Sequence, residues 1–569
     1  MNNFDDSERT VVSHVTSRRP SGRGEGPLMK EAGQPMESHG PHWAFTEFEI
    51  DIDRYVGEFN ETVIGAYGLG KDAKLPADVG VARSLVPPGT GSFRDFSHVA
   101  PELPHFVAEK CVACMECVTA CPDTAILGKV ADPDTMAAHA RAIGHHAERD
   151  DFYKQWVETM KFHGLLEKKG ERGGLFAIYV DPAKCKGCGE CVDVCGSHQA
   201  LEMRPKDDAM LATLRARAAT MKGMPETPER FLAKHLPVDA MLKEDQTLLY
   251  VGGAGSCAGC GEATAIRMML AATGEAFQRD EIGIVAATGC NTVYGSTYPY
   301  NPFRVTWTNS LFENAPAVAM GIRTRWDQMG WQKKRIWVLG GDGAMFDIGF
   351  QSLSRMLATG MDIKVLVLDT QVYSNTGGQT STATFTAQSA KMSPYGHVAK
   401  GKAEHRKELA NIAMMHPGVY VAQTSTAFIT HFHQAIREAN AYPGPAVVNV
   451  YTTCQPEHGV ADDLSQVQSR RAVQSRAFPL FIHDPRKGET MRSRLSLKNN
   501  PAASEDWMSD PKTGQPFTFI DFARTEGRFA QQFGPGGQPS EALLAAQADR
   551  LRNWHLLQEL AGVGADRKA

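Results

Sequence analysis

No run of apolar residues in this chain approaches the roughly 20 that a membrane-crossing helix requires, so no membrane span is expected. The opening MNNFDDSERT has neither the positive flank nor the apolar centre of a secretory leader. Blocks of a single charge are missing too. Against 65 acidic side chains stand 60 basic ones, for a formal net charge of -5, with no basic tract to grip nucleic acid and no acidic tail. These absences predict a soluble, cytoplasmic protein without a nucleic-acid partner. Residues 1–42 also lack any period of two or 3.6 and are rich in Ser, Arg, Gly, Pro and Glu, which predicts a disordered or partner-contacting arm. Residues 43–100, punctuated by Pro87-Pro88-Gly89, read as an extended linker or subunit-contact segment.

Cysteine, by contrast, is plentiful. Twelve cysteines would suit a disulfide scaffold in a short secreted chain, but this chain has 569 residues, room for about two to four domains. Cys111, Cys114, Cys117 and Cys121 form C-x2-C-x2-C-x3-C closed by Pro122; Cys185, Cys188, Cys191 and Cys195 repeat the spacing, with Gly196 in place of the proline. Three thiolates so spaced can hold three corners of an iron–sulfur cube, while the fourth reaches across to the other cluster. The competing reading of either ladder is a zinc knuckle, which more usually pairs two C-x2-C units across a longer loop. Residues 101–210 are therefore expected to be a ferredoxin-like domain with two [4Fe–4S] clusters. One or two surface helices are expected between its ladders, with His145 and His146 facing solvent. Residues 211–245, charged and interrupted by Pro225 and Pro228, read as a linker.

From Leu249 the texture becomes α/β. A loop bearing Cys257 and Cys260 runs into a helix whose first turn presents Glu262. EIGIVAATGC, KRIWVLGGDG, IKVLVLDTQVYSN and PAVVNVYTTC read as strands, the first delivering Cys290 and the last Cys454 at their C-terminal ends. Strands separated by helix-length segments predict a doubly wound sheet over residues 246–455, with ligands in the crevice at the strand ends. The glycines of Gly341-Asp342-Gly343 let backbone approach a phosphate, and the Asp342 carboxylate and Thr370 hydroxyl are hard oxygen ligands suited to Mg²⁺. Gly-Asp-Gly also makes ordinary turns, and the Ser-Asn-Thr-Gly-Gly loop bearing Asn375 could be a simple turn. Cys290 and Cys454 could be buried small hydrophobes, and Cys257-Ala-Gly-Cys260 a redox dithiol; the count of twelve nevertheless divides into three groups of four. Residues 456–569 include an aromatic-rich segment and a final amphipathic helix, and read as an extension packing on the main domain or a partner.

Taken as a set, CAGCGE at 257–262, CNTVYGSTYPYNPF at 290–303, NSLFEN at 309–314, GDGAMFDIG at 341–349 and DTQVYSNTGGQTS at 369–381 carry a family resemblance. The chain resembles the thiamine-diphosphate-dependent 2-oxoacid:ferredoxin oxidoreductases, most of all the C-terminal half of the pyruvate:ferredoxin enzymes. The resemblance implies that Cys257, Cys260, Cys290 and Cys454 hold a third [4Fe–4S] cluster, nearest the thiamine. It also implies that Asp342, Thr370 and the Val372 carbonyl hold magnesium, that Gly341 and Gly343 flank the diphosphate, that Glu262 lies near it, and that Asn375 reaches substrate. Ala315-Pro316 after NSLFEN, where relatives commonly carry an additional acidic residue, and the missing second proline depart from the family pattern without removing a ligand.

The first hundred residues contain no second thiamine-type half. The resemblance therefore implies a partner subunit that completes the thiamine, substrate and coenzyme A sites, in a heterotetramer of two copies each. The implied reaction is the CoA-dependent oxidative decarboxylation of a 2-oxoacid, pyruvate or alternatively 2-oxoglutarate, with electrons passing through three clusters to ferredoxin or a similar carrier. A reading of another class is an electron-transfer scaffold with a degenerate thiamine site. A non-oxidative thiamine decarboxylase would leave the cysteines unexplained.

Overall fold

The computed structural model describes residues 52–75, 85–233, 237–394, 400–510 and 513–563. The arm expected at 1–42 lies outside the described residues. The chain forms two compact units, Met1–Pro87 and Pro88–Ala569. In the first, a helix Ile52–Glu58 continues through a π-helical turn, Phe59–Ile64, into Gly65–Gly68, with Phe59, Val63 and Ile64 buried. This corrects the extended reading of 43–100 over these residues. Tyr55, Phe59 and Val63 recur every four positions, the period of a helix face. The far end of the same segment differs in another way: residues from Pro88 onward belong to the second unit, where the buried Lys184 ammonium donates to the carbonyls of Gly91, Ser92 and Arg94 at 2.9, 2.7 and 2.6 Å.

The second unit begins with a ferredoxin-like module built from two similar halves. Strand β1 (Glu102–Phe106) pairs antiparallel with β4 (Leu201–Pro205), and β2 (Ile126–Ala131) with β3 (Leu175–Val180). Each ladder turns into a short helix, Glu116–Ala120 in one half and Glu190–Cys195 in the other. The loops before them match residue for residue: Ala113 and Met115 take positive φ of 60° and 67° where Gly187 and Gly189 take 75° and 85°. Between the ladders, helices Pro133–Ala142 and His146–Lys154 bury Met136, Ala140 and Phe152 against Leu127, Ala177 and Tyr179 of the strands. His145 and His146 are exposed. The stretch read as a linker packs instead of merely connecting. Helix Asp208–Lys222 sends Leu214 into the module's core, joined there by Phe231, Met241 and Leu242, so its apolar residues serve burial as much as reach.

The rest is a doubly wound α/β sheet. Its strands are β5 (Ile282–Ala287), β6 (Thr306–Ser310), β7 (Arg335–Gly341), β8 (Lys364–Asp369), β9 (Tyr420–Ser425), β10 (Ala446–Tyr451), β11 (Phe481–His483) and β12 (Leu495–Ser496). They lie in the order β12-β11-β9-β10-β8-β7-β5-β6. From β9 to β6 all neighbours are parallel, while β11 and β12 add antiparallel at one edge. Near-continuous apolar strands are what a parallel sheet covered on both faces needs. Ile284, Trp337, Leu339 and Leu366 face helices Gly261–Gly274 and Ile429–Ala441; Val285, Val338 and Val365 face helices Ala315–Gln328, Phe350–Ala358 and Glu541–Ala561. The C-terminal extension thus covers one sheet face and lengthens the sheet. Because the chain passes from β5 to β6 on one side and then crosses to β7 on the other, the order reverses beside β5, opening a crevice at the strand C-termini. Among the described residues no helix is long and apolar enough to cross a membrane.

Two measurements test this packing. Trp554 is fully buried and donates through Nε1 to the Glu505 carbonyl at 2.8 Å, so Trp554→Ala is expected to destabilise the fold by about 3–5 kcal/mol in urea titration. His431 is buried beside Thr424, its Nδ1 2.9 Å from the hydroxyl, and burial pushes its pKa down from 6.5 to about 4. The unfolded chain protonates this imidazole near its ordinary pKa and the folded chain only near pH 4, so stability is full above about 6.5 and falls as pH drops through that window. His431→Asn should flatten this acid limb by up to about 1.4 kcal/mol per pH unit; an unchanged slope of denaturation midpoint against pH would refute the assignment.

Candidate functional site

Parallel register brings the chemistry-bearing residues level. Gly341 pairs with Leu368 and Tyr451 with Asp369, so Asp342, Thr370 and the segment leading to Cys454 leave the sheet at one end. Cys290 follows the end of β5 in the same crevice. Oδ1 of Asp342 accepts from the Thr370 amide at 3.3 Å and its hydroxyl at 3.1 Å; that hydroxyl also lies 3.1 Å from the Val372 carbonyl oxygen. Gly341, Gly343, Glu262, Cys290 and Asn375 line the same cavity as these three oxygen donors. Asn375 is exposed at its mouth and Glu262 is buried.

Several partners escaped the sequence reading. Ser381 donates to Oδ2 of Asp342 at 2.5 Å, and the Ser374 hydroxyl is 2.5 Å from that of Thr370. Behind them His458 is fully buried; the Cys454 amide donates to its Nδ1 at 3.4 Å, which leaves Nε2–H to donate to the Thr370 carbonyl at 2.8 Å. Such supports are single hydroxyls and one imidazole scattered from Ser374 to His458, with no local spacing to betray them.

The electrostatics of this cluster fit a cation. Asp369, buried behind Asp342, is paired with the buried Arg406 guanidinium. Among the described residues Asp342 has hydroxyl and amide donors but no ion-pair partner of its own, and burial together with the nearby Asp369 carboxylate pushes its pKa well above the usual range. A divalent ion beside Asp342, the Thr370 hydroxyl and the Val372 carbonyl would supply the missing charge with the hard oxygen set that Mg²⁺ takes. Glu262 is pushed up to about 7 by burial, with the Tyr294 hydroxyl donating to it at 3.4 Å.

Next to this cavity burial pushes the Cys260 and Cys290 thiols up, and Cys257 and Cys454 lie close enough to both to add to that rise. The Cys257–Cys260 loop is pinned by Gly259, at φ +69°, where any side chain would run into the Asp462 carbonyl. Gln455 donates to the Gly259 carbonyl from the segment after Cys454. Cys454 also bonds Ser374, so one hydroxyl joins the thiol set to the oxygen set.

In the ferredoxin-like module the fourth cysteines cross over. Cys111, Cys114, Cys117 and Cys195 ring one small cavity, and Cys121, Cys185, Cys188 and Cys191 ring another. The Ala125 amide donates to the Cys121 sulfur at 3.3 Å and the Ala200 amide to the Cys195 sulfur at 3.2 Å, from four residues on in one half and five in the other. All twelve cysteines are free thiols. Among the described residues no three His, Cys, Asp or Glu side chains form a site for a single metal ion. Rings of four buried or half-buried thiols around a cavity fit a larger iron–sulfur group.

Comparisons with known proteins agree with this layout. Residues 287–450 match the family model described as "Thiamine pyrophosphate enzyme, C-terminal TPP binding domain", and residues 104–127 and 178–197 match "4Fe-4S binding domain". The chain is 28% identical over 588 residues to a pyruvate:ferredoxin oxidoreductase of Moorella thermoacetica, covering 88% of this chain and 46% of that protein. It is 27% identical over 596 residues to a pyruvate-flavodoxin oxidoreductase of Rhodospirillum rubrum, covering 90% and 46%. It thus spans about half the length of the curated relatives it matches. Among solved structures, the 2-oxoglutarate:ferredoxin oxidoreductase from Magnetococcus marinus aligns at a TM-score of 0.32 and 22% identity, over 36% of this chain and 65% of that one. With both matched domains and the crossed cysteine ladders in hand, the chain is related to the thiamine-diphosphate-dependent 2-oxoacid:ferredoxin/flavodoxin oxidoreductases through its iron–sulfur and thiamine-binding regions.

Proposed function

We propose that the chain is one subunit of a 2-oxoacid:ferredoxin oxidoreductase. With a partner polypeptide, in a heterotetramer of two copies each, it converts a 2-oxoacid and coenzyme A into acyl-CoA, CO₂, a proton and two electrons. Pyruvate is the first candidate substrate, supported by the names of the two relatives above. The observation that carries the reading is the convergence of the Asp342–Thr370–Val372 oxygens and the Cys257–Cys260–Cys290–Cys454 thiols at one end of one sheet. A thiamine enzyme that only decarboxylates has no use for thiols there.

In this reading residues 246–455 form the cofactor domain, and residues 101–210, with the segment packed on them, form the electron-transfer module. Bound thiamine diphosphate supplies an electron sink for loss of CO₂, and three [4Fe–4S] clusters supply one-electron acceptors. Asp342, Thr370 and the Val372 carbonyl would hold Mg²⁺, and the backbone of Gly341 and Gly343 would leave room for the diphosphate. Glu262, poised near neutrality by burial, can give or take a proton beside the cofactor. Asn375, at the cavity mouth, orients a substrate oxygen without adding charge. The two cysteine rings of the module carry electrons outward to ferredoxin or a similar carrier.

The native complex should contain thiamine diphosphate, magnesium and about twelve irons per copy of this chain, and should bleach a low-potential dye only when a 2-oxoacid and coenzyme A are both present. Full iron and thiamine with no bleaching by any 2-oxoacid would overturn the reading, and iron without thiamine would point to an electron-transfer scaffold. Within that complex, Asp342→Asn should weaken Mg²⁺-dependent thiamine diphosphate binding by more than about tenfold, or about 1.4 kcal/mol. Iron content should stay at the wild-type level. Calorimetry and iron analysis on the same sample check both outcomes.

A further inference from the structure

Helix Gly261–Gly274 carries Cys260 at its N-cap and Arg267 two turns further on. Arg267 is fully buried, and its side chain ends in the ferredoxin-like module, where Nη1 donates to the carbonyls of Val118 and Cys121, the latter at 3.0 Å. One turn earlier, the Thr264 hydroxyl reaches the Ala120 carbonyl at 3.3 Å. Both contacts satisfy carbonyls at the end of helix Glu116–Ala120, a task that neutral donors perform at a far smaller desolvation penalty. The guanidinium does more than cap, since among the described residues its buried Nε and Nη2 have no hydrogen-bond partner.

The ionisable groups that act on this charge are Cys121, Asp123, Cys117 and Tyr250, and Cys121 is also a residue whose carbonyl the guanidinium holds. Asp123 is already paired with the buried Lys186 ammonium at 2.7 Å, and that ammonium also binds the Ser256 carbonyl and hydroxyl at 2.7 and 2.9 Å. Lys186 and Asp123 therefore form a neutral bridge, which also ties the residue after Cys185 to the residue before Cys257. Arg267 is left as a buried cation held at the carbonyl of Cys121, a member of the ring of Cys121, Cys185, Cys188 and Cys191, on the helix that Cys260 caps.

We propose that Arg267 is a positioning residue that sets the reduction potential of the iron–sulfur group held by Cys121, Cys185, Cys188 and Cys191. The inference rests on the functional reading above. In each transfer one electron leaves the group held by Cys257, Cys260, Cys290 and Cys454, which is oxidised, and enters the group held by the Cys121 ring, which is reduced. No bond is made or broken and no proton moves. A buried cation at short range stabilises the extra negative charge of the reduced acceptor, because little solvent screens it. The acceptor's potential rises accordingly, and the inward-facing ring becomes the better electron trap of the module's two.

The test is an EPR-monitored redox titration of the complete complex carrying wild-type chain, Arg267→Met or Arg267→Lys. Arg267→Met should lower the midpoint of one of the two ferredoxin-type clusters by at least a tenfold change in its one-electron equilibrium, about 59 mV, with a smaller effect on the other. Arg267→Lys, which keeps the charge, should recover most of the difference. Wild-type potentials in an iron-replete Arg267→Met complex would overturn the inference, and so would equal shifts in both variants. Should Arg267→Met fail to assemble, wild-type complex labelled with ¹⁵N-arginine provides the second test. Pulsed EPR should show guanidinium nitrogen coupled to one reduced ferredoxin-type cluster, and no such coupling on either would equally end the proposal. A wild-type complex without iron–sulfur EPR signals would instead overturn the functional reading itself.

Discussion

The register of the central parallel strands is the constraint on which this molecule depends. Parallel pairing aligns the ends of β7, β8 and β10, so that Asp342, Thr370 and the turn to Cys454 emerge within hydrogen-bonding reach of one another. In a strand, slipping by one residue turns every side chain to the opposite face. The alternation of Val365 and Val367 toward one layer and Leu366 and Leu368 toward the other therefore guards the site as well as the core. Hydrophobic patterning in the middle of the sheet is what holds the polar geometry at its end.

Charge is handled unevenly at that end, and the unevenness is informative. Asp369 is matched by Arg406; Glu526 is matched by Arg528 and accepts from the Tyr451 hydroxyl at 3.0 Å. These pairs sit behind the crevice, where a lone buried carboxylate would be strongly unfavourable. Asp342, at the front, is supported among the described residues by hydroxyls and an amide. Rear carboxylates that are neutralised and a front one left to neutral donors fit a cation on the crevice side. A similar asymmetry recurs across the domain seam, where Lys186 is paired with Asp123 and Arg267 donates to the carbonyls of Val118 and Cys121.

Legibility in the sequence followed the range of the interactions. The cysteine ladders could be read because their ligands are local, and the apolar strands because each is a near-continuous run bounded by Gly or Asp. The doubly wound architecture followed from strands alternating with helix-length segments. Tyr55, Phe59 and Val63 mark the helical face that runs from Ile52–Glu58 into the next turn, but nearby prolines and glycines point to extended chain. β11 has only three residues and joins the sheet solely because β9 offers it an edge. The linker reading of 211–245 weighed charge and proline above Leu214, Phe231 and Leu242, whose burial needs a partner surface that composition does not reveal. Ser381, Ser374 and His458 gain meaning only once three separate strands have been brought together.

Helix Gly261–Gly274 then explains why the two parts of the second unit are docked and not merely tethered. At its start Cys260 and Glu262 face the crevice; along its middle Ala265, Ile266, Met269 and Leu270 belong to the sheet's core; on another side Thr264 and Arg267 bond carbonyls of the cysteine-bearing helix Glu116–Ala120. All thirteen residues from Gly261 to Thr273 are buried, so the helix cannot rotate or slide without breaking packing on one side and hydrogen bonds on the other. Electron transfer between buried groups needs their separation held constant through every turnover. A flexible linker would let that distance wander, whereas one helix shared by both cores fixes it by the same close packing that makes interiors stiff.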